Sequence, residues 1–256
     1  MKGPKRYPNG GPLLLIPEAL KEKVNNLTSN ANAWWYGHLA KYMLRLNSTL
    51  QTLVDASVDN ISKSRPVVGI HIRHTDKRTE AQLYDLHLYL GEVDKYFDNL
   101  NNSKNKTFER RVYMATDDFN VWKEAKNHSS RFRFLGNSSF STSASLDQRY
   151  SVNSAKEMVI DLLSLLACDH IVCTFSSNVC RLLYELKATT EPNVTYVLSS
   201  LDSKYHYPGH FKNIMQLNEV DKNRHNKTAV FYITSKKPKV KKNVNKLIVK
   251  KPTIQS

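Results

Sequence analysis

The sequence has no apolar run long enough to cross a bilayer. A membrane-spanning helix needs about 20 mostly apolar residues, and the longest apolar region, residues 158–175, is interrupted by Asp161, Asp169 and His170. The first twelve residues, M-K-G-P-K-R-Y-P-N-G-G-P, also lack the apolar core of a signal peptide. From the sequence as it stands we predict neither a membrane anchor nor a signal peptide.

Two nucleotide-binding motifs are also missing. The chain contains no G-x-G-x-x-G and no G-x-x-x-x-G-K-[ST]. This argues against dinucleotide dehydrogenases and P-loop enzymes, because both hold phosphates with those glycines. No set of His, Cys and carboxylate residues has the spacing of metal ligands. We therefore predict no metal and no cofactor.

The net charge of +15 is unevenly distributed. Eight lysines and no acid lie between Lys236 and Lys251, which leaves +7 for the rest of the chain once they are subtracted. A moderately basic body suits an anionic ligand, and a basic tail suits nucleic acid, an anionic lipid or no specific partner. The tail has no interleaved aromatic residues and no recognition motif, so we predict that nucleic acid is not a partner.

The cysteines and the N-x-S/T sequons suit a secretory compartment. Cys173 and Cys180 are seven residues apart and could form a disulfide if their Cα atoms approach to about 5–6 Å. Cys168 would then be a buried free thiol. Chance explains many sequons in a chain rich in asparagine, but nine of them suit the secretory lumen, where a disulfide can form. They lie at Asn26, Asn47, Asn60, Asn101, Asn105, Asn127, Asn137, Asn193 and Asn226.

Segments of strand pattern and helix pattern alternate along the chain. We predict strands at residues 67–73, 111–116, 131–135, 170–174, 194–198 and 229–233, helices at residues 17–24, 33–58, 82–100, 121–127, 154–168 and 178–186, and a serine-rich, lid-like loop at residues 136–145. A capping box, Ser154-Ala155-Lys156-Glu157, is expected to start the helix after this loop. The alternation predicts an α/β domain with a mainly parallel sheet.

The chain is organised around residues 67–80, V-V-G-I-H-I-R-H-T-D-K-R-T-E. Alternate residues of the strand at its start face opposite sides, with Val68, Ile70 and Ile72 together on one of them. The loop that follows carries ionisable residues at His74, Asp76, Lys77, Arg78 and Glu80. It is either a solvated loop or a ligand-binding edge, because ligands of open α/β sheets lie beyond the carboxyl ends of the strands.

Two further strand ends carry polar residues that could meet this loop. Ser177 lies at a predicted helix start, where backbone N–H groups and the helix dipole favour a phosphate, although a serine there is also a common N-cap. Asp117 and Asp118 end the second strand, where adjacent acids either line the ligand edge or form a turn.

Six sequence blocks follow one another over roughly residues 12–207: W-W-Y-G-H-L-A-K-Y-M-L-R (34–45), H-I-R-H-T-D-K…T-E (71–80), Y-M-A-T-D-D (113–118), R-Y-S-V-N-S (149–154), D-L-L-S-L-L-A-C-D-H-I-V-C-T-F-S-S-N-V-C-R (161–181) and S-L-D-S-K-Y-H-Y (200–207). Together these blocks resemble the α-1,6-fucosyltransferases that fucosylate the core of N-glycans. The resemblance implies a Rossmann-like nucleotide-binding domain of a GT-B-like glycosyltransferase, with a partial helical N-terminal lobe and no C-terminal SH3-like domain. On this basis we predict a helical lobe at residues 1–65, a GDP-fucose-binding domain at residues 66–235 and a basic, disordered tail at residues 236–256.

The same resemblance implies an enzymatic activity and a cellular compartment. The reaction would be an inverting, metal-independent transfer of fucose from GDP-fucose to the 6-hydroxyl of the innermost N-acetylglucosamine of N-glycans on acceptor glycoproteins. The compartment would be the Golgi lumen, and members of the family dimerise through a stem that this sequence lacks.

By motif position, the resemblance also assigns roles to single residues. Glu80 would be the general base, Lys77 would reach the leaving diphosphate, and Arg73 would hold the pyrophosphate. His71 and Asp161 would bind guanine. The other residues implied to contact GDP-fucose are His74, Tyr89, Asp117, Asp118, Ser177 and Asn178, and Cys173 and Cys180 match a disulfide of the family.

The sequence departs from the family in the loop after the central strand. The family has two adjacent arginines where this chain has Arg73 and His74, and a histidine is mostly neutral near pH 7. Arg78 is a candidate replacement because it lies nearby. The interval from Lys77 to Glu80 is also one residue shorter than in the family. These departures leave a second interpretation open, a non-catalytic relative that binds GDP-sugar or glycan.

Overall fold

The structure, a computed structural model, describes residues 16–28, 30–79, 81–145 and 147–202. Its centre is a five-stranded sheet in the order β3-β2-β1-β4-β5, and all four strand pairs are parallel. The strands are β1 (Val67–Ile72), β2 (Arg111–Thr116), β3 (Arg133–Leu135), β4 (His170–Cys173) and β5 (Leu198–Ser200). The predicted α/β fold with a parallel sheet is confirmed, and the strand order is that of a Rossmann-like domain.

Strand β1 lies in the middle of this sheet and is buried along its whole length. Val68, Ile70 and Ile72 belong to one hydrophobic core, and Val67 belongs to the other. Because these residues lie in different cores, the predicted alternation of facing residues in β1 is confirmed. The strand is apolar at almost every position because parallel sheets are covered on both faces.

The described residues form eight α-helices. They are α1 (Glu18–Leu27), α2 (Ala31–Met43), α3 (Ser48–Lys63), α4 (Leu86–Lys104), α5 (Phe119–Ala125), α6 (Phe140–Ser143), α7 (Val152–Ala167) and α8 (Asn178–Ala188). One core lies between the sheet and α2, α3, α7 and α8, and the other lies between the sheet and α4 and α5. No helix in this part of the chain is both long enough and apolar enough to cross a membrane.

Two predicted elements differ from the structure because asparagine side chains hydrogen-bond to the backbone. The single helix predicted at residues 33–58 is two helices, since Asn47 caps α3 by accepting a hydrogen bond from the Leu50 N–H at 2.9 Å. The strand predicted at residues 194–198 begins instead as a 3₁₀ turn, Val194–Tyr196, because Asn193 accepts from the Thr195 N–H. The apolar periodicity continues through both sites, so it gives no indication of these local hydrogen bonds.

The region before α7 also differs from the prediction. The N-cap is Ser151, whose hydroxyl accepts from the Ser154 N–H at 3.1 Å, and not Ser154 itself. Glu157 accepts a hydrogen bond from the Ser143 hydroxyl on α6 and does not close a capping box. The predicted loop at residues 136–145 thus contains a short helix that is tied to α7.

Several sequence predictions lie outside the described residues. These are the irregular start at residues 1–12, the strand at residues 229–233, the boundary at residue 235 and the basic tail at residues 236–256. Within the described part, α2 packs on α8 and α3 packs on α7, so the predicted N-terminal helices lie directly against the sheet domain.

The disulfide between Cys173 and Cys180 is present, with their Cα atoms 5.7 Å apart. It joins the end of β4 to the first turn of α8 and therefore restrains the loop that carries Ser177. Cys168 is a buried free thiol, as predicted.

Candidate functional site

A cavity of about 460 Å³ lies at the carboxyl edge of the sheet. The chain runs from β1 outward to β3 on one side and from β4 to β5 on the other, and ligands of such sheets bind in the crevice where the order reverses. The ends of β1, β2 and β4 all contribute to the cavity wall, so the predicted convergence of these strand ends is confirmed. The predicted site residues that line it are His71, Arg73, Lys77, Asp117, Asp161, Ser177 and Asn178; their roles toward a ligand stay predictions.

Asp117 connects the ends of β1 and β2 and orients Arg73. One carboxylate oxygen accepts from Arg73 Nη1 at 2.6 Å, and the other accepts from the His74 N–H at 2.8 Å. The Thr75 backbone and hydroxyl also donate to this carboxylate. The Asp117 side chain is only 6% exposed. A buried carboxylate with this many donors is held rigidly, and it fixes the direction in which Arg73 enters the cavity.

Asp76 is shared between two arginines. Arg73 Nη2 donates to one of its oxygens and Arg149 Nη1 donates to the other, both at 2.6 Å. Burial raises the pKa of the Asp76 carboxyl, but the hydrogen bond from Arg149 and the charges of both arginines outweigh it and lower that pKa. Arg149 lines the cavity and was not among the predicted site residues. The only signal for it in the sequence was its place in the block R-Y-S-V-N-S.

Lys77 and the loop between β4 and α8 form the next part of the wall. Lys77 Nζ donates to the Ser176 carbonyl oxygen at 2.6 Å. The Ser176 N–H donates in turn to the buried Asp202 carboxylate, and the Phe175 N–H donates to the Ser200 hydroxyl. Together with the disulfide, these bonds hold the loop in one conformation.

Helix α8 begins at this loop with its N-terminus at the cavity. Ser177 occupies the N-cap position, but its side chain makes no capping hydrogen bond to the helix. Ser177, Asn178 and Val179 all line the cavity. The alternative interpretation, in which the Ser177 hydroxyl only caps the helix, is therefore not supported. The first-turn N–H groups carry the positive end of the helix dipole, and the residues that bear them line a space large enough for a ligand.

Two acids on α7, Glu157 and Asp161, also line the cavity. Asp161 accepts a hydrogen bond from the Tyr113 hydroxyl at 2.7 Å, and Glu157 lies one helical turn before it. Burial and, to a smaller extent, the charge of Glu157 raise the pKa of Asp161 to about 7, although the Tyr113 hydrogen bond lowers it. Asp161 thus changes its charge near neutral pH.

His71, near the end of β1, lines the same cavity. Burial is the main cause that lowers the pKa of its imidazole, to about 4, so the ring is neutral at pH 7. Its Nδ1 is buried and has no hydrogen-bond partner among the residues that the structure describes. A buried nitrogen without a partner at a cavity wall is suited to a hydrogen bond with a ligand.

Three predicted contact residues lie elsewhere. Tyr89 is 1% exposed inside the core formed with α4, because its ring fills the space behind β1. The His74 ring points toward the Tyr84 carbonyl oxygen, 3.0 Å from Nε2, and away from the cavity. Asp118 caps α5 by accepting from the Asn120 N–H. Of the two interpretations of these adjacent acids, the ligand edge therefore applies to Asp117, which lines the cavity, and the turn applies to Asp118. Glu80 lies outside the described residues.

Comparison with known proteins identifies the relatives of this chain. A family model for the N-terminal and catalytic domains of α-(1,6)-fucosyltransferase matches residues 7–206. An α-(1,6)-fucosyltransferase from Drosophila melanogaster is 34% identical over 197 residues, which are 77% of this chain and 32% of that protein. The one from Caenorhabditis elegans is 34% identical over 196 residues, or 76% of this chain and 35% of that protein. The chain thus spans about a third of the length of these curated relatives.

Solved structures of the α-1,6-fucosyltransferase NodZ are more distant. NodZ soaked with GDP-fucose is 16% identical with a TM-score of 0.36, over 65% of this chain and 48% of NodZ. NodZ from Bradyrhizobium is 12% identical with a TM-score of 0.34, over 62% of this chain and 46% of NodZ. The family model and the two animal relatives each cover about three quarters of the sequence, and on that basis the chain belongs to the α-(1,6)-fucosyltransferase family.

Proposed function

We propose that this chain transfers fucose from GDP-fucose to the 6-hydroxyl of the innermost N-acetylglucosamine of N-glycans, in the Golgi lumen and without a metal. The observation that carries the proposal is the division of charge in the cavity. All of these groups line the same cavity; we call Arg73, Lys77 and the N-terminus of α8 its cationic wall, and Asp161 and His71 its acidic wall. A nucleoside diphosphate whose base presents N–H donors complements both walls.

Guanine is the base that fits the acidic wall best. Its Watson–Crick edge has two adjacent donors, N1–H and the 2-amino group, which match the two oxygens of one carboxylate. Asp161 Oδ1 already accepts from Tyr113, and a carboxylate oxygen accepts more than one hydrogen bond. The neutral His71 ring adds a further polar contact in the same region. Asp161 and His71 therefore support GDP over nucleotides whose bases offer fewer donors.

The cationic wall suits the leaving diphosphate. When the bond between fucose C1 and the phosphate oxygen breaks, its electron pair goes to GDP, and negative charge develops there. Arg73 offers its charge and the N–H donors that Asp76 and Asp117 do not use. Lys77 adds a point charge, and the α8 N–H groups add partial charges. Donors held in place before the reaction stabilise that charge without reorganising. These residues take the role that a metal ion has in other transferases.

Glu80 is proposed as the general base. In an inverting displacement, the acceptor 6-hydroxyl attacks C1 from the face opposite GDP while a base removes its proton. The O6–C1 bond forms as the C1–phosphate bond breaks, and the proton passes to the Glu80 carboxylate. Glu80 follows the 3₁₀ turn Lys77–Thr79, so it lies in sequence directly after the residues of the cationic wall.

A second candidate is a relative that binds GDP-sugar and does not transfer it. The position of His74 favours this function, because the residue that replaces the second arginine of the family turns its ring away from the cavity. Such a protein would keep the nucleotide contacts of Asp161 and Arg73 and lack part of the stabilisation of the departing diphosphate.

One assay separates the two candidates. The chain is incubated with GDP-fucose and a biantennary N-glycan in the presence of a metal chelator, and GDP release and fucosylated glycan are measured by mass spectrometry. We expect equal amounts of both products. Tight GDP binding with no product would establish the second candidate, and the absence of both binding and product would reject the proposed function.

The raised pKa of Asp161 predicts how binding depends on pH. Above about pH 7 the carboxylate is ionised and accepts from guanine, and below that it is protonated and loses an acceptor. We expect the affinity for guanosine to fall as pH decreases from about 8 to about 5.5, by up to about tenfold per pH unit. Calorimetry measures this, with guanosine as the ligand because the phosphate of GDP itself titrates near pH 6.

The Asp161→Asn variant is the control for this experiment. It cannot ionise, so its guanosine affinity should be lower than that of the wild type at pH 8 and should change little with pH. If the wild-type chain and Asp161→Asn show the same pH profile, Asp161 does not bind the base.

A further inference from the structure

Arg149 brings a second guanidinium to the cationic wall. It lies just before α7, its side chain is 15% exposed, and it lines the same cavity as Arg73. Nη1 donates to Asp76 Oδ2 at 2.6 Å and Nη2 donates to the Thr75 hydroxyl at 2.9 Å. Its position is therefore set by the loop after β1, the same loop that carries Lys77.

Arg149 still has a hydrogen-bond donor to offer. A guanidinium has five N–H donors in a planar fork. The Nε–H of Arg149 is buried and has no partner among the described residues, and buried donors in native proteins are almost always paired. An anionic oxygen in the cavity would satisfy it.

The histidine at position 74 cannot supply this charge to the cavity. The His74 Nε2 is 3.0 Å from the Tyr84 carbonyl oxygen and its Nδ1 is 3.4 Å from the Asp118 carboxylate, on the side of the loop away from the cavity. Arg149 reaches the cavity from a different part of the chain, 73 residues after Asp76. Both oxygens of Asp76 are engaged, one by each arginine, so the carboxylate draws the two guanidinium groups together.

We propose that Arg149 and Arg73, held side by side by Asp76, together bind the diphosphate of the nucleotide. This rests on the proposed function, because it takes a nucleoside diphosphate as the ligand. Each guanidinium already donates through both of its Nη atoms, and its remaining N–H donors, among them the buried Nε–H of Arg149, are available to the two phosphate groups. The second arginine of this site thus comes from the segment before α7 and not from the residue next to Arg73.

The Arg149→Ala variant tests this with three ligands that share one base. Guanosine, GMP and GDP are titrated into wild-type and variant chains by calorimetry. We expect the variant to bind GDP about 10- to 100-fold more weakly than the wild type, because it loses hydrogen bonds to a charged group. Guanosine affinity should stay within about twofold, since guanosine has no phosphate for Arg149 to bind.

Two further variants complete the experiment. Arg149→Lys keeps the charge and loses the fork, so it should recover only part of the GDP affinity, and it decides the question if Arg149→Ala does not fold. Arg131→Ala removes an arginine that is 59% exposed and pairs with Asp94, and it should bind all three ligands like the wild type.

The outcomes separate this inference from the function on which it rests. If the wild-type chain fails to bind GDP, the proposed function is wrong. If the wild type binds GDP and the Arg149→Ala variant binds it equally well, the role of Arg149 is wrong. An equal loss for guanosine and GDP would also overturn it, because Arg149 would then only support the shape of the cavity.

Discussion

Replacing Arg73 with alanine is expected to weaken GDP binding by about 30- to 1,000-fold, which corresponds to about 2–4 kcal/mol. The guanidinium reaches the cavity from the end of β1, with Asp117 on one Nη and Asp76 on the other. These two carboxylates hold it in place before the ligand arrives, so little conformational entropy is lost on binding. Calorimetry with GDP measures the loss directly.

The same variant should also be less stable than the wild type. Without Arg73, the Asp117 carboxylate, 6% exposed, keeps its bonds from His74 and Thr75 but loses its cation. We expect the free energy of unfolding to fall by about 2–3 kcal/mol. Urea denaturation of the unliganded chain measures this change.

A second pair of variants separates the loss of affinity from the loss of stability. Asp117→Asn leaves Arg73 in place and removes the charge that orients it, so GDP affinity should fall less than in Arg73→Ala. Arg133→Ala changes an arginine that is 62% exposed on β3 and away from the cavity, and it should alter neither quantity. A folded Arg73→Ala chain that binds GDP within about threefold of the wild type would contradict the assignment of Arg73.

Replacing Gly37 with alanine is expected to destabilise the fold by about 3 kcal/mol or more. Gly37 lies on α2 where this helix crosses α8, and a Cβ there would stand 1.9 Å from the Glu185 carbonyl oxygen and 2.8 Å from Thr189 Cγ2. A backbone carbonyl cannot rotate away as a side chain can, so the two helices would have to separate. Because α2 and α8 share one hydrophobic core, separation exposes apolar surface.

Gly91 provides the matched control in another helix. It lies within α4, and apart from its chain neighbours and the surrounding backbone of α4 itself, no described atom is within 4 Å of a Cβ built on it. Alanine favours helices by about 1 kcal/mol over glycine, so Gly91→Ala should raise the free energy of unfolding by about 0.5–1 kcal/mol. Urea denaturation compares the two variants. Equal stability of Gly37→Ala and wild type would mean that α2 does not pack against α8 as closely as described.

The three central strands, β1, β2 and β4, were predictable because they depend on local pattern, whereas β3 begins two residues later than predicted and β5 begins only at Leu198. β2 was predicted at the same residues that the structure shows, and β1 and β4 within one residue at their ends. Their apolar, β-branched runs have few other conformations available in a sheet buried on both faces. Boundaries set by one polar side chain, such as the cap of α3 by Asn47, were missed because a single asparagine barely changes the apolar periodicity.

The candidate site was predictable in part for a similar reason. Motif positions led to Arg73, Asp161 and Ser177, and all three line one cavity. They did not show that His74 and Tyr89 turn away from it, because the direction of a side chain depends on what packs around it. They also gave no reason to single out Arg149.

The amino-acid sequence was enough to predict the order of strands and helices along the chain, the family, and the chemistry available at the strand ends. These follow from residue type and spacing, which are local properties. Which of those groups meet depends on how the elements pack in three dimensions. Asp76 and Arg149 are brought together by the packing of α7 beside β1 and β2, and Asp161 gains its raised pKa from burial in that same packing. Both depend on contacts between residues far apart in the chain, and no periodicity in the sequence records such contacts.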